Sequence, residues 1–235
     1  MSKLKILALE TSTEACSVAL WQDGAVLERH ESGNQHSERI LPMVQEVLAE
    51  SGFALTQLDA IAFGRGPGSF TGLRIGAGVA QGLAFGANLP VVPVSSLATL
   101  AQGVDAPRIL AAFDARMNQV YWGAYARNAR GIVELKGAEQ VLSPKDIPVP
   151  TETGWVGAGS GWDQYAAVIT ARLIDRASAW RAQCFPRARF AAQLGAHLYE
   201  AGVALAPELA LPVYLRDEVA AKQRKPQELL TKRKN

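Results

Sequence analysis

Eight of the 21 glycines fall between Gly64 and Gly86, and that concentration limits what the chain can build there. Gly64-Arg65-Gly66-Pro67-Gly68-Ser69-Phe70-Thr71-Gly72 is predicted to be irregular. Gly66, Gly68 and Gly72 admit positive φ, and Pro67 has no backbone donor. Leu73 to Gly86 reads as a helix in which Gly78, Gly82 and Gly86 recur every four residues and so share a face. Each costs roughly 0.8–1 kcal/mol against alanine. A chain accepts that sum where another backbone must come close. The helix is therefore predicted to be a packing surface, with its partner either inside the chain or on a second molecule.

At 235 residues, 49% of them hydrophobic and 20% charged, the chain can bury a core without staples, as one large domain or two lobes. Cys16 and Cys184 fit no metal spacing and no disulfide pattern, so both read as reduced thiols. The first residues run straight into a strand-like segment, with no room for a signal peptide. Arg74, Gln81 and Asn88 interrupt the glycine-rich helix, so no window of about 18 apolar residues exists to span a membrane. A cytoplasmic protein is expected. The net charge of +2 is uneven: Lys222 to Asn235 holds six Lys or Arg against one Glu, leaving about −3 on the rest. That tail reads as a solvated terminus or as a contact for RNA.

Strands are predicted at Leu4–Leu9, apolar on both faces, and at Cys16–Trp21 and Ala25–His30, joined by Asp23-Gly24. A helix from Ser37 to Ser51 carries Ile40, Met43, Val44, Val47 and Leu48 on one stripe. Pro42 conflicts with a Ser37 cap, so the regular helix is expected to begin nearer Ile40 or to bend. Strands at Asp59–Phe63 and Pro90–Val94 flank the glycine-rich segment, and Ser95–Gln102 reads as a short helix. The plan then restarts. Arg108–Phe113 echoes the opening strand, Ile109-Leu110-Ala111 against Ile6-Leu7-Ala8, followed by strands at Val120–Arg127 and Ile132–Leu135. A short helix capped by Ser143, a strand at Trp155–Gly159 and helices at Asp163–Arg172 and Phe190–Ala201 complete the reading. The fold class is α/β with two lobes, 1–104 and 105–235, each a mixed sheet flanked by helices.

Reactive groups are few. Gly66 to Gly72 leading into a helix could offer N–H groups to an anion, with Glu10, Thr11, Ser12, Gly66, Gly68, Ser69, Thr71 and Gly72 as the candidate nucleotide or anion loop. The alternative is a tight structural turn, since neither a P-loop lysine nor a dinucleotide fingerprint is present. His30, His36 and His197 are scattered, so no metal site is predicted. Gly157-Ala158-Gly159-Ser160-Gly161 lacks a serine at the centre of a nucleophile elbow. Glu10 and Asp114 end the matching first strands and could flank a cleft between the lobes.

The runs Ile6-Leu7-Ala8-Leu9-Glu10-Thr11-Ser12, His36-Ser37-Glu38-Arg39-Ile40-Leu41-Pro42, Gly66 to Gly76, Pro93 to Leu100, Phe113-Asp114-Ala115-Arg116 and Pro212-Val213-Tyr214-Leu215-Arg216 together resemble the TsaB (YeaZ) family of bacterial tRNA threonylcarbamoyladenosine biosynthesis proteins. The resemblance spans nearly the whole chain. It implies the two-lobed actin-like ATPase fold, of ribonuclease H-like lobes, and a place beside the paralogue TsaD and the ATPase TsaE, with tRNA met through that complex. The paralogue follows its Pro-Val strand with a metal-binding histidine pair. Here the matching positions are Ser96 and Leu100, so the resemblance implies no catalytic residue, no metal and no cofactor in this chain.

In the family the two N-terminal helices form the surface for pairing with TsaD or, in its absence, in a homodimer. The interface expected here is His36, Ile40, Met43, Val44, Val47 and Leu48 on the first helix, with Arg74, Ile75, Gly78, Val79 and Gly82 on the second. A different reading keeps an actin-like enzyme, a small-molecule kinase or peptidase, working from the cleft near Glu10 and Asp114.

Overall fold

The computed structural model describes residues 4–216. The predicted tail from Lys222 lies outside the described residues. Two mixed sheets repeat one plan. In the first, β1 (Lys5–Glu10), β2 (Ala15–Gln22), β3 (Ala25–Ser32), β4 (Ala60–Gly66) and β5 (Val91–Ser95) are ordered β3-β2-β1-β4-β5. In the second, β6 (Arg108–Asp114), β7 (Val120–Arg127), β8 (Val133–Leu135), β10 (Trp155–Ala158) and β11 (Ala177–Arg181) are ordered β11-β10-β6-β7-β8, with β9 (Gln140–Leu142) on β7. Each leading strand has an antiparallel neighbour on one side and a parallel one on the other, β2 and β4 for β1, β7 and β10 for β6. The three-residue echo falls on the two leading strands. This is the actin-like, ribonuclease H-like plan.

Both faces of β1 are covered, as its unbroken apolar run requires. Leu7 and Leu9 join Val18, Leu20, Ile61 and Phe63 under α1 (His36–Ser51) and α2 (Phe70–Ala87). Ile6 and Ala8 face α3 (Ser96–Gln102) and α5 (Ala188–Glu200) in a core shared with Ile109, Ala111 and Phe113 of β6. The outer face of the second sheet packs Leu110, Trp122 and Trp155 on Trp162, Ile169 and Leu173 of α4 (Ser160–Leu173). Although α5 follows the second sheet in sequence, it returns to the first. Ser17 Oγ accepts from Ala188 N–H at 2.9 Å and Glu28 accepts from Arg189 N–H at 3.1 Å, which fixes its N-terminus to β2 and β3.

Several expectations are corrected. Gly64-Arg65-Gly66 is strand, pairing with β5 through a bulge, and the irregular turn begins only at Pro67. The first helix starts at His36 with Gln35 as its cap residue, and Pro42 sits well inside it. Ser143 opens a turn, its Oγ accepting from Lys145 N–H at 3.3 Å, and no helix follows. Strands β9 and β11 lie outside the expected elements: β9 is only three residues long and β11 is mostly exposed, so neither carries a readable apolar alternation.

Candidate functional site

The glycines of the 64–76 region divide by what they touch. A β-carbon on Gly72 would stand 2.0 Å from the Thr11 carbonyl oxygen, and one on Gly68 would stand 2.3 Å from that of Ser12. The loop after β1 lies directly on the start of α2. Thr11 Oγ1 donates to the Gly72 carbonyl at 2.8 Å, and Ser69 N–H donates to the Ser12 carbonyl at 2.7 Å. Ser69 Oγ caps α2 by accepting from Gly72 N–H at 3.3 Å. Of the candidate anion loop's N–H groups, those of Ser69 and Gly72 are therefore already bonded within the protomer. Thr71 is exposed, Gly66 is filled on its open side by Leu73 and the Val213 carbonyl, and only Ser12, Gly68 and Ser69 of that loop reach the cleft described below.

Glu10 is fully buried beneath the same loop. Its Oε1 accepts from Ser12 N–H at 2.8 Å and its Oε2 from the Ser96 hydroxyl at 3.1 Å. Gly64 makes room for the carboxyl, since a β-carbon there would stand 2.3 Å from Oε2. Burial raises the Glu10 pKa above the ordinary carboxylate value, against the opposing pull of its Ser12, Ser96 and Thr11 partners. Ser96 and Leu100, the positions matched to the paralogue's histidines, are both buried in α3, and Ser96 is spent on Glu10. Among the described residues no three of His, Cys, Asp and Glu gather as a metal site.

A cleft of about 800 Å³ opens between the sheets, lined on one side by Ser12, Thr13, Glu14, Asn34, Gly68, Ser69 and Phe70 and on the other by Asp114, Ala115, Arg116, Tyr121, Ser160, Asp163 and Gln164. Glu14, Asp114 and Asp163 outnumber the one facing cation, Arg116, so the cleft favours a cation or a neutral polar molecule over a bare phosphate. Asp114 is held in place: its N–H donates to Ser160 Oγ at 3.1 Å, its Oδ1 accepts from Arg116 N–H at 2.9 Å, and the Arg116 guanidinium is 3.3 Å from Oδ2.

A buried polar cluster that the sequence reading did not find joins the sheets. The Glu139 carboxylate accepts from the Tyr125 hydroxyl at 2.5 Å and from the Ser95 hydroxyl, with Arg65 Nη2 3.5 Å away. Burial, then the Glu139 charge, holds the Tyr125 phenol well above its ordinary pKa. No sequence signal marks the cluster, since its members come from four separate segments.

The predicted interface residues part company. His36, Ile40, Met43, Val44 and Val47 are buried in the first lobe's own core, and Leu48 packs partly against it. His36 Nε2 donates to the Thr13 carbonyl at 2.7 Å. That stripe packs inside the protomer, over β2 and β3 and beside α2, which corrects its placement on an outer surface. On α2 the result is the reverse. Gly78, Gly82 and Gly86 are exposed, and a β-carbon on any of them would meet nothing within 4 Å. Arg74 is exposed beside them, Ile75 and Val79 are half-buried at the edge, and Phe85 is 81% exposed. Both cysteines are free, and burial pushes the Cys16 thiol up to about 11.

The chain is 44% identical to the tRNA threonylcarbamoyladenosine biosynthesis protein TsaB of Escherichia coli over 94% of its length and 98% of that protein's. It belongs to the TsaB family. The TsaB protein of Haemophilus influenzae is 41% identical over 95% of this chain and 98% of its own. The solved structure of YeaZ from Pseudomonas aeruginosa superposes with a TM-score of 0.84 at 47% identity, covering 90% of this chain and all of that one. Residues 29–157 also match the family model described as TsaD, tRNA N6-adenosine threonylcarbamoyltransferase. That match runs from within β3 to within β10 and so takes in parts of both lobes. Among the described residues no helix is long and apolar enough to cross a membrane.

Proposed function

We propose that this chain is a non-catalytic, cytoplasmic partner in tRNA N6-threonylcarbamoyladenosine synthesis. In this reading it docks on TsaD through α2, pairs with itself when TsaD is absent, and supports threonylcarbamoyl transfer from its adenylate to the adenosine beside the anticodon. TsaE joins the complex, and tRNA is met through it. The observation that carries the reading is the outward face of α2. Three exposed glycines, Gly78, Gly82 and Gly86, cost the isolated helix roughly 2–3 kcal/mol, and a β-carbon on any of them would meet no other part of the protomer within 4 Å. A flat small-residue face flanked by Arg74 and Phe85 suits close backbone approach by a second polypeptide. A homodimer on that face would be isologous and would compete with TsaD for it.

Transfer measured with purified components tests this. Activity is expected only when TsaD is present; transfer by this chain alone overturns the non-catalytic assignment.

The cleft between Ser12 and Asp114 supports a second reading, an actin-like enzyme acting on a small molecule there. Calorimetry with ATP separates the two. Submicromolar binding by the isolated chain favours the enzyme, and no detectable heat favours the docking partner.

A further inference from the structure

The segment Pro212-Val213-Tyr214-Leu215-Arg216 plays no part in the reading above, yet it touches both lips of the cleft. Val213 N–H donates to the Arg65 carbonyl of β4 at 2.8 Å. The Tyr214 ring lies 5.4 Å from that of Phe70, the first residue of α2, and the Arg74 guanidinium stands 3.3 Å over the Phe70 ring and 5.4 Å from Tyr214. Two residues later the segment has crossed to the second sheet. Leu215 is buried against Ala115 and Val141. The Arg216 guanidinium donates to the Ala115 carbonyl at 2.7 Å, to Gln119 Oε1 at 3.0 Å and to Met117 Sδ at 2.9 Å.

To the turn's own bonds, Ala115 N–H to the Gln119 carbonyl and Gln119 N–H to the Arg116 carbonyl, Arg216 adds an outside hold. Arg116, Met117 and Asn118 have φ of 61°, 55° and 56°, three consecutive non-glycine residues in the left-handed region. Such a run is costly unless its surroundings fix it. Phe70 belongs to one lip of the cleft, and Ala115 and Arg116 belong to the other. We infer that residues 212–216 are a strap across the cleft, anchored on α2 by the Tyr214 ring and on the 115–119 turn by Arg216, and that this strap sets the separation of the two lobes. The Glu139 cluster is a second tie, and Arg65 serves both, with its carbonyl on the strap and its side chain on Glu139. The inference is independent of what α2 or the cleft binds. Its consequence is a mechanical link: whatever displaces Tyr214 from Phe70 and Arg74 loosens the far wall of the cleft.

Spin labels at Ser37→Cys and Gln164→Cys, in a Cys184→Ser background of the full chain, report the distance across the cleft. With the strap intact the distribution is narrow. Arg216→Ala and Tyr214→Ala are each expected to broaden it or lengthen its mean by several ångströms, and the double variant by no more than the larger single effect, because a strap cut at one end is already cut. Tyr214→Phe keeps the ring and is expected to match the intact strap. Hydrogen exchange gives a second readout: Tyr214→Ala, which does not touch the 115–119 turn, should speed exchange of the Gln119 amide about tenfold, the worth of one charge-assisted hydrogen bond. An unchanged label distance in both alanine variants overturns the strap. So does additivity of the two, or loosening of the turn by Arg216→Ala but not by Tyr214→Ala.

Discussion

Glu10 and Asp114 end the leading strands of the two sheets, and only Asp114 opens onto the cleft. The difference follows from what crosses each strand end. Above Glu10 the Ser12 loop is pressed down by α2, whereas the loop after Asp114 turns outward through Arg116. A duplicated plan therefore gives one buried carboxyl and one accessible one.

The buried carboxyl carries a penalty with a definite sign. Because its folded-state pKa is raised, the folded chain holds this proton more tightly than the unfolded chain does, and the Glu10 contribution to stability falls as pH rises from about 4.5 through the folded value. Gln at this position can accept from Ser12 N–H and donate to Ser96 Oγ, so Glu10→Gln is expected to melt higher than wild type at pH 8 and no higher at pH 4. Each 1 kcal/mol relieved corresponds to about 2–4 °C for a chain of this size. Melting curves at the two pH values decide it; a lower melting temperature for the variant at pH 8 shows that the negative charge is needed.

Glu139 is a hub of hydrogen bonds, since its carboxylate accepts from the hydroxyls of Tyr125 and Ser95. Glu139→Ala is expected to cost about 2–4 kcal/mol in chemical denaturation, by leaving Tyr125 and Ser95 without their partner. Tyr125→Phe alone should cost about 1 kcal/mol, and a double-mutant cycle should return a coupling of about 1–2 kcal/mol. Additive effects would mean that the two groups do not interact.

Much of this arrangement was legible in the sequence, and the failures have physical causes. The period of Ile40, Met43, Val44 and Val47 identifies an apolar helix face but not its partner. The outer face of β2, with Val18 and Leu20, needed a cover and took it. The four-residue spacing of Gly78, Gly82 and Gly86 places them on one face, as the structure shows, and a second such series runs along the opposite side of α2. Gly72 and Gly76 point inward and admit Thr11, while Gly78, Gly82 and Gly86 point out. Glu139, Tyr125, Ser95 and Arg65 meet only because the two sheets do, and no local pattern marks a contact between residues so distant in the chain.

His30 on β3 places a second titration in the fold. Burial and the nearby Arg187 lower its pKa, with Glu28 opposing, and its Nε2 is buried without a hydrogen-bond partner. A depressed histidine is neutral when folded, so its contribution is present above about pH 6.5 and is lost as pH falls toward the folded value. His30→Leu is expected to flatten that acid limb between pH 7 and 5 without changing the binding of any partner to α2. Denaturation midpoints across that range measure it, and an equally steep fall in the variant would assign the limb to other groups.

Gly72 and Gly82 occupy opposite sides of one helix, and paired substitutions separate folding from docking. Gly72→Ala would drive a β-carbon to 2.0 Å from the Thr11 carbonyl and is expected to destabilise the fold by several kcal/mol. Gly82→Ala meets nothing and should gain roughly 0.8–1 kcal/mol from helix propensity alone. Gly82→Leu should leave the isolated chain folded, and the proposed docking on TsaD or on a second copy predicts that it weakens that association by a few kcal/mol through overpacking of a close backbone contact. Sedimentation of the chain alone and with TsaD reads this directly. Undiminished association of Gly82→Leu in both mixtures would remove the glycine face from the interface and leave its helix-propensity cost without a purpose.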